Sequence, residues 1–157
     1  MFLRTETHPE TLLIGQHLKM SLAENRTPEL WKAFMPRRRE IKMPLNDTLY
    51  SLEIYPSDYY AVFDLHREFE KWAAVPVDKS SQIPPGFQPL LLPQGLYAVF
   101  LHKGPASEGE KTYRFIHETW LPKSNYKLDD RPHLAIMDER YKGEHPDSEE
   151  EIWIPIV

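Results

Sequence analysis

Cysteine is absent from the 157 residues. That absence excludes a disulfide framework, a thiolate zinc site, an iron-sulfur cluster and a cysteine nucleophile together. Long apolar runs are missing too, since no stretch approaches the roughly 20 residues of a membrane-spanning helix. The opening MFLRTETHPETLLIG lacks the cationic start, apolar block and small-residue cleavage site of an export signal, so a cytoplasmic protein away from the membrane is expected. Positive charge is also scarce. The formal net charge is -5, whereas a nucleic-acid footprint masses Lys and Arg on one face, and no direct nucleic-acid contact is expected. The one basic cluster, Arg37 to Arg39 in PRRRE, falls where a helix should end. It reads as solvated charge at the negative end of the helix dipole.

Motifs of several chemistries are lacking. There is no G-x-S-x-G elbow, no G-x-x-x-x-G-K-[ST] phosphate loop and no G-x-G-x-x-G after a strand. The histidines, among them His17, His66, His102, His117 and His133, show no H-x-H or H-E-x-x-H spacing, so neither a metal site nor a cofactor is expected. The acidic run DERYKGEHPDSEEE lacks the residue order of a calcium loop and reads as a hydrated hairpin before the last strand. Asp129 and Asp130 read as turn caps.

What is present fits one domain. The length suits a single core, and 41% hydrophobic with 27% charged residues is the balance of a soluble globular chain. Fifteen prolines imply short, sharply ended elements, and 12% aromatic residues exceed what a small core needs, suggesting a lined pocket. TLLIGQHLKMSL alternates as a strand. TPELWKAFMPRRREI predicts a helix with Thr27 as N-cap, Pro28 in its first turn, a stripe of Leu30, Trp31 and Phe34, and an end or kink near Pro36. LYSLEIY and FEKWAAVPV alternate as two further strands, making the first half β-α-β-β.

The proline-rich SSQIPPGFQPLLLPQG reads as a connector, with room for a short extended piece. The order then recurs: GLYAVFLHKG as a strand, SEGEKTYRFIHETWLP as a helix with a Ser107 and Glu110 capping box and Pro122 as its stop, and HLAIM and EIWIPIV as strands. The expected fold is α+β, a duplicated β-α-β-β unit with pseudo-repeats at about 11–78 and 95–157. Its strands would form an antiparallel sheet with two long helices on one face and a pocket between the halves.

ELWKAFMPRRREI, FEKWAAVPV, GLYAVFLHKG, WLPKSNYKLDDRPH and SEEEIWIPI together resemble the GyrI-like small-molecule-binding domain, the effector-binding module also fused to AraC-type regulators. The resemblance implies a single such domain over 1–157 with a central aromatic pocket for a hydrophobic small-molecule ligand. It implies Trp31, Phe34, Tyr97, Trp120, Glu151 and Trp153 as ligand-binding residues, and Tyr50 of LYSLEIY is expected to join the aromatics in a cage around the ligand. Two departures stand out. Where relatives commonly read HFE this chain has His133, Leu134 and Ala135, and Pro76 stands where many have glutamate. Loss of these acids implies a neutral or weakly polar ligand and disfavours catalysis.

Three functions follow as expectations: a stand-alone sensor or sequestering protein, which without a DNA-binding motif would act through the ligand or a protein partner; a hydrolase of strained electrophiles using Glu151; or a gyrase-inhibitor-like interaction domain acting through an acidic surface. Strand alternation leaves Glu151 open. It shares a face with Glu149 and Trp153, opposite Glu150, Ile152 and Ile154, and either face could meet the helices.

Overall fold

The computed structural model describes residues 1–157. In chain order the elements are β1 (Phe2–His8), β2 (Thr11–Met20), α1 (Thr27–Arg37), β3 (Leu49–Ile54), β4 (Phe69–Pro76), β5 (Gln88–Leu92), β6 (Gly95–Lys103), α2 (Gly109–Phe115), a π-helical stretch (Ile116–Trp120), the short turn α3 (Leu121–Lys123), β7 (His133–Met137) and β8 (Glu149–Pro155). The strands form one antiparallel sheet in the order β1-β6-β8-β7-β3-β4-β2-β5. The α+β class expected from the sequence is the fold observed.

The first half lays down β3-β4-β2 and the second β7-β8-β6, with β3 and β7 adjoining at the centre. The outer strands are exchanged. β1 leads directly into β2, yet pairs with β6 of the other half; β5 leads into β6, yet pairs with β2. Six strand spacings separate β1 from β2 in the sheet order, about 29 Å if flat, while Pro9 and Glu10 span only about 11 Å. The sheet must therefore curl. His8 faces Gly95 and Thr11 faces Leu92 in a register that runs on from one pair of strands to the next.

Curling gives the sheet an inner and an outer face. Leu13, Tyr50, Leu52, Trp72, Leu92, Tyr97, Val99, Leu134 and Trp153 meet on the helix-free face in one buried cluster drawn from seven strands. The other face carries both helices. Leu30 and Phe34 of α1 pack on Ile14, Ala73 and Val75, each apolar side chain contributing about 1.5–3 kcal/mol by burial. Ile116, with Tyr113 and Trp120, packs on Phe100, Ile152 and Ile154.

Local details depart from expectation. Thr27 is already helical and caps nothing; Arg26 holds the N-cap position without a side-chain bond, and the Thr27 hydroxyl turns to Met20 Sδ at 3.5 Å. The Ser107 and Glu110 box does not form, because Glu144 accepts both the Ser107 N–H and its hydroxyl, at 3.0 and 2.6 Å. The second helix starts instead with a 3-10 turn, Ala106–Glu108. It widens to a π-helix over Ile116–Trp120, just before Pro122, whose ring in a regular α-helix would collide with the carbonyl of Glu118. β1 was not foreseen. Its residues are exposed or half-exposed except His8, so no apolar alternation marks it.

Candidate functional site

Between α1 and α2, over the middle of the sheet, lies a cavity of about 850 Å³. It exists because the sheet is low there. Ser51 faces Ala135 across the β3-β7 ladder and both line the cavity, so two neighbouring central strands present small side chains there, while α1 packs on Ile14, Ala73 and Val75 to one side and the second helix on Phe100, Ile152 and Ile154 to the other. Trp31 and Met35 of α1 form one wall, and Gly109 and Tyr113 of α2 the other. A Cβ built on Gly109 would meet nothing within 4 Å. Asp47, Glu139 and Tyr141 contribute to the rim.

The lining carries five carboxylates, on Asp47, Glu53, Asp138, Glu139 and Glu150, against the cations of Arg38 and Lys71. Their surroundings differ. Glu53, 6% exposed, receives a hydrogen bond from Lys71 Nζ at 3.0 Å across the β3-β4 ladder. Asp138 accepts from Arg140 at 2.9 Å, which holds its carboxyl below the usual range. Glu150 has neither a hydrogen-bond nor an ion-pair partner, and burial raises its pKa, with His102 and Lys71 pulling the other way. A partly buried carboxylate with no cation in direct contact is the group there best placed to meet a ligand cation.

Beside Glu53 stands a cluster of tyrosines and histidines. His133 faces Glu53 in the ladder. Tyr60 stacks on His117 and His133 at 4.7 and 5.8 Å, and Tyr55 meets His133 edge-on at 4.9 Å. Burial depresses His117 to about 4, and burial with help from His117 depresses His133 to about 3. Both rings are neutral near pH 7. Burial, followed by the charges of Glu53 and Glu150, pushes the Tyr113 hydroxyl well above its ordinary value.

Of the seven residues singled out in the sequence, Trp31 alone lines this cavity. Phe34 lies outside the lining, fully buried against Phe87 in the core under α1. Tyr50, Tyr97 and Trp153 belong to the helix-free face, where burial raises the first two hydroxyls to about 12. Tyr50 meets His8 Nε2 at 2.9 Å, and the Tyr97 hydroxyl donates to the Pro132 carbonyl. Trp120 stacks on Phe2 and meets Phe100 edge-on, joining the second helix to β1 and β6.

Glu151 is turned away. It accepts from Arg4 Nη2 at 3.2 Å and from Trp153 Nε1 at 3.1 Å, with Arg140 at 3.7 Å. The helices sit on the Ile152 and Ile154 face of β8, so alternation sends Glu150 to the cavity. Ala135 lines the cavity, while Pro76 ends β4 opposite Leu13 and lies outside it. Despite both departures the lining holds two other strand carboxylates, Glu53, paired with Lys71, and Glu150, which has no such partner. Of the arginine cluster, Arg37 pairs with Glu40 and lies over Phe87, and Arg38 reaches the cavity.

A family model described as "GyrI-like small molecule binding domain" matches residues 1–157. The chain is 26% identical over 159 residues to the transcriptional regulator BrlR of Pseudomonas aeruginosa, covering 99% of this chain and 56% of BrlR, so it spans about half the length of that relative. Among solved structures, the EcmrR C-terminal domain is similar with a TM-score of 0.74 at 12% identity, covering 100% of this chain and 98% of that one. SAV2435 bound to tetraphenylphosphonium follows at 0.68 and 16%, covering 100% and 94%. A hydrolase from Listeria innocua is similar at 0.58 and 14%, covering 98% and 92%. At such identities these structures share the fold.

Proposed function

The chain belongs to the GyrI-like small-molecule-binding domain family, related to the effector-binding domains of transcription regulators, and from that premise we propose that it binds a lipophilic cation in the cavity between α1 and α2. The carrying observation is Glu150, an unpaired, partly buried carboxylate on the wall of an 850 Å³ space that also presents Trp31 and Tyr113. Aromatic faces attract a cation by about 0.5–2 kcal/mol each, and apolar walls take up the rest of the ligand. The excess of carboxylates over cations in the lining favours a positively charged ligand over an anionic one. Tetraphenylphosphonium, the molecule in the structure of SAV2435, is of this class. The binding would serve a sensor or a sequestering protein.

The hydrolase reading placed water activation on Glu151, whose carboxylate is held by Arg4 and Trp153 on the other side of β8. Geometry gives it no support. The test is calorimetric titration of N-methylquinolinium and of neutral 1-methylnaphthalene, with tryptophan fluorescence read in parallel. Wild type should prefer the cation, and Glu150→Gln should lose that preference by about tenfold or more while still binding the neutral probe, in line with the lower end of measured charge-pair couplings. Failure of both probes to bind wild type, or an unchanged preference in Glu150→Gln, would sink the reading.

A further inference from the structure

Two acids adjoin the same cavity, Glu53 buried and Glu150 partly buried, and only Glu150 is open to a ligand. Both oxygens of Glu53 are withdrawn. Oε1 accepts the hydrogen bond from Lys71 Nζ at 3.0 Å, and Oε2 is shielded from water and accepts no hydrogen bond. The side chains of Lys71 and Glu53 are 14% and 8% exposed, so solvent screens the pair little. Lys71 descends from β4 and Glu53 from β3 at directly opposed positions, which fixes the ammonium beside the carboxylate without any hinge or loop.

We infer that Lys71 is a built-in counter-ion that silences Glu53, so that the cation selectivity of the cavity is set by Glu150 and weakened by Lys71. This rests on the cavity being the ligand site. A ligand cation approaching Glu53 must either displace an ammonium already in hydrogen-bond contact or remain beside a like charge, and both oppose binding. Removing Lys71 uncovers Oε1 and leaves a buried carboxylate without a partner. Such a carboxylate destabilises the empty protein and strengthens its hold on any cation that fits.

The experiment measures the ratio of N-methylquinolinium to 1-methylnaphthalene affinity in wild type, Lys71→Met, Lys71→Arg and the double variant Lys71→Met with Glu53→Gln, with thermal melting of each. Lys71→Met should raise the ratio at least about tenfold and melt earlier when empty, with the cation restoring its midpoint. Lys71→Arg, which keeps the pair, should match wild type, and the double variant should fall back to the wild-type ratio. An unchanged ratio in Lys71→Met, or an equal rise in the double variant, overturns the inference. If Lys71→Met does not fold, Lys71→Gln is read in the same way. Should wild type bind neither probe while Lys71→Met binds the cation, the silencing stands and the proposed native ligand class falls.

Discussion

At the residue scale, two adjacent glutamates of SEEE divide the strand between them. Glu150 enters the cavity; Glu151 is tied to Arg4 and Trp153 on the opposite face. Glu151→Gln should leave probe affinities within about twofold and lower stability by no more than about 1 kcal/mol, because Arg4 is 40% exposed and such pairs are screened; equilibrium unfolding with the same titrations checks both. Ala135 offers the converse case. Its Cβ stands on the cavity floor beside Ser51, so Ala135→Phe should fill open space, abolishing binding of both probes while the melting midpoint holds within a few degrees. A midpoint collapse would mean that the floor is packed after all.

At the element scale, the π-helical stretch and β7 bring together the two neutral histidines, His117 and His133, under Tyr60 from the loop after β3. Their protonation opposes folding. With pKa values depressed to about 4 and about 3 from an ordinary 6.5, the unfolded chain binds more protons than the folded one throughout that interval. Stability from this cluster is therefore complete above about pH 6.5 and is lost as the pH falls toward 4 and then 3. Asp138, depressed by Arg140, adds loss of the same sign at lower pH, while Glu150, raised by burial, works in the opposite direction. His117→Phe keeps an aromatic ring beneath Tyr60 and removes the buried, unpartnered Nε2. Unfolding by urea at pH 7.5, 6 and 5 should show the slope of stability against pH reduced by up to about 1.4 kcal/mol per unit. An unchanged slope would assign the acid sensitivity to other groups.

At the scale of the whole molecule, the exchange of β1 and β5 between the halves governs cooperativity. Residues 1–78 carry β1, which pairs with β6 of the second half, and residues 79–157 carry β5, which pairs with β2 of the first. Each half alone would leave long strand edges unpaired, a state prone to aggregation. The two fragments expressed separately should lack cooperative unfolding, and mixing them should restore a single transition and probe binding. A cooperative melt of either fragment alone would overturn this. The cavity belongs to the same scale, since its walls come one from each half.

Much of this protein was legible in its sequence. Alternation identified six strands, proline and the apolar stripes located both helices, and five ordered segments pointed to the family, because these signals are local and repeat with the period of the backbone. β1 escaped because an exposed strand carries no apolar alternation, and the curl escaped because it arises from which strands pair. The aromatics were not sorted for a related reason: a bulky ring reads the same whether it fills a core or faces a void, and only tertiary packing sets Trp31 in the lining and Phe34 and Trp153 outside it. Alternation stated that Glu150 and Glu151 point apart. Which of the two enters the cavity was decided by the helices settling on the Ile152 side of β8, a choice made by packing between distant segments that no single strand contains.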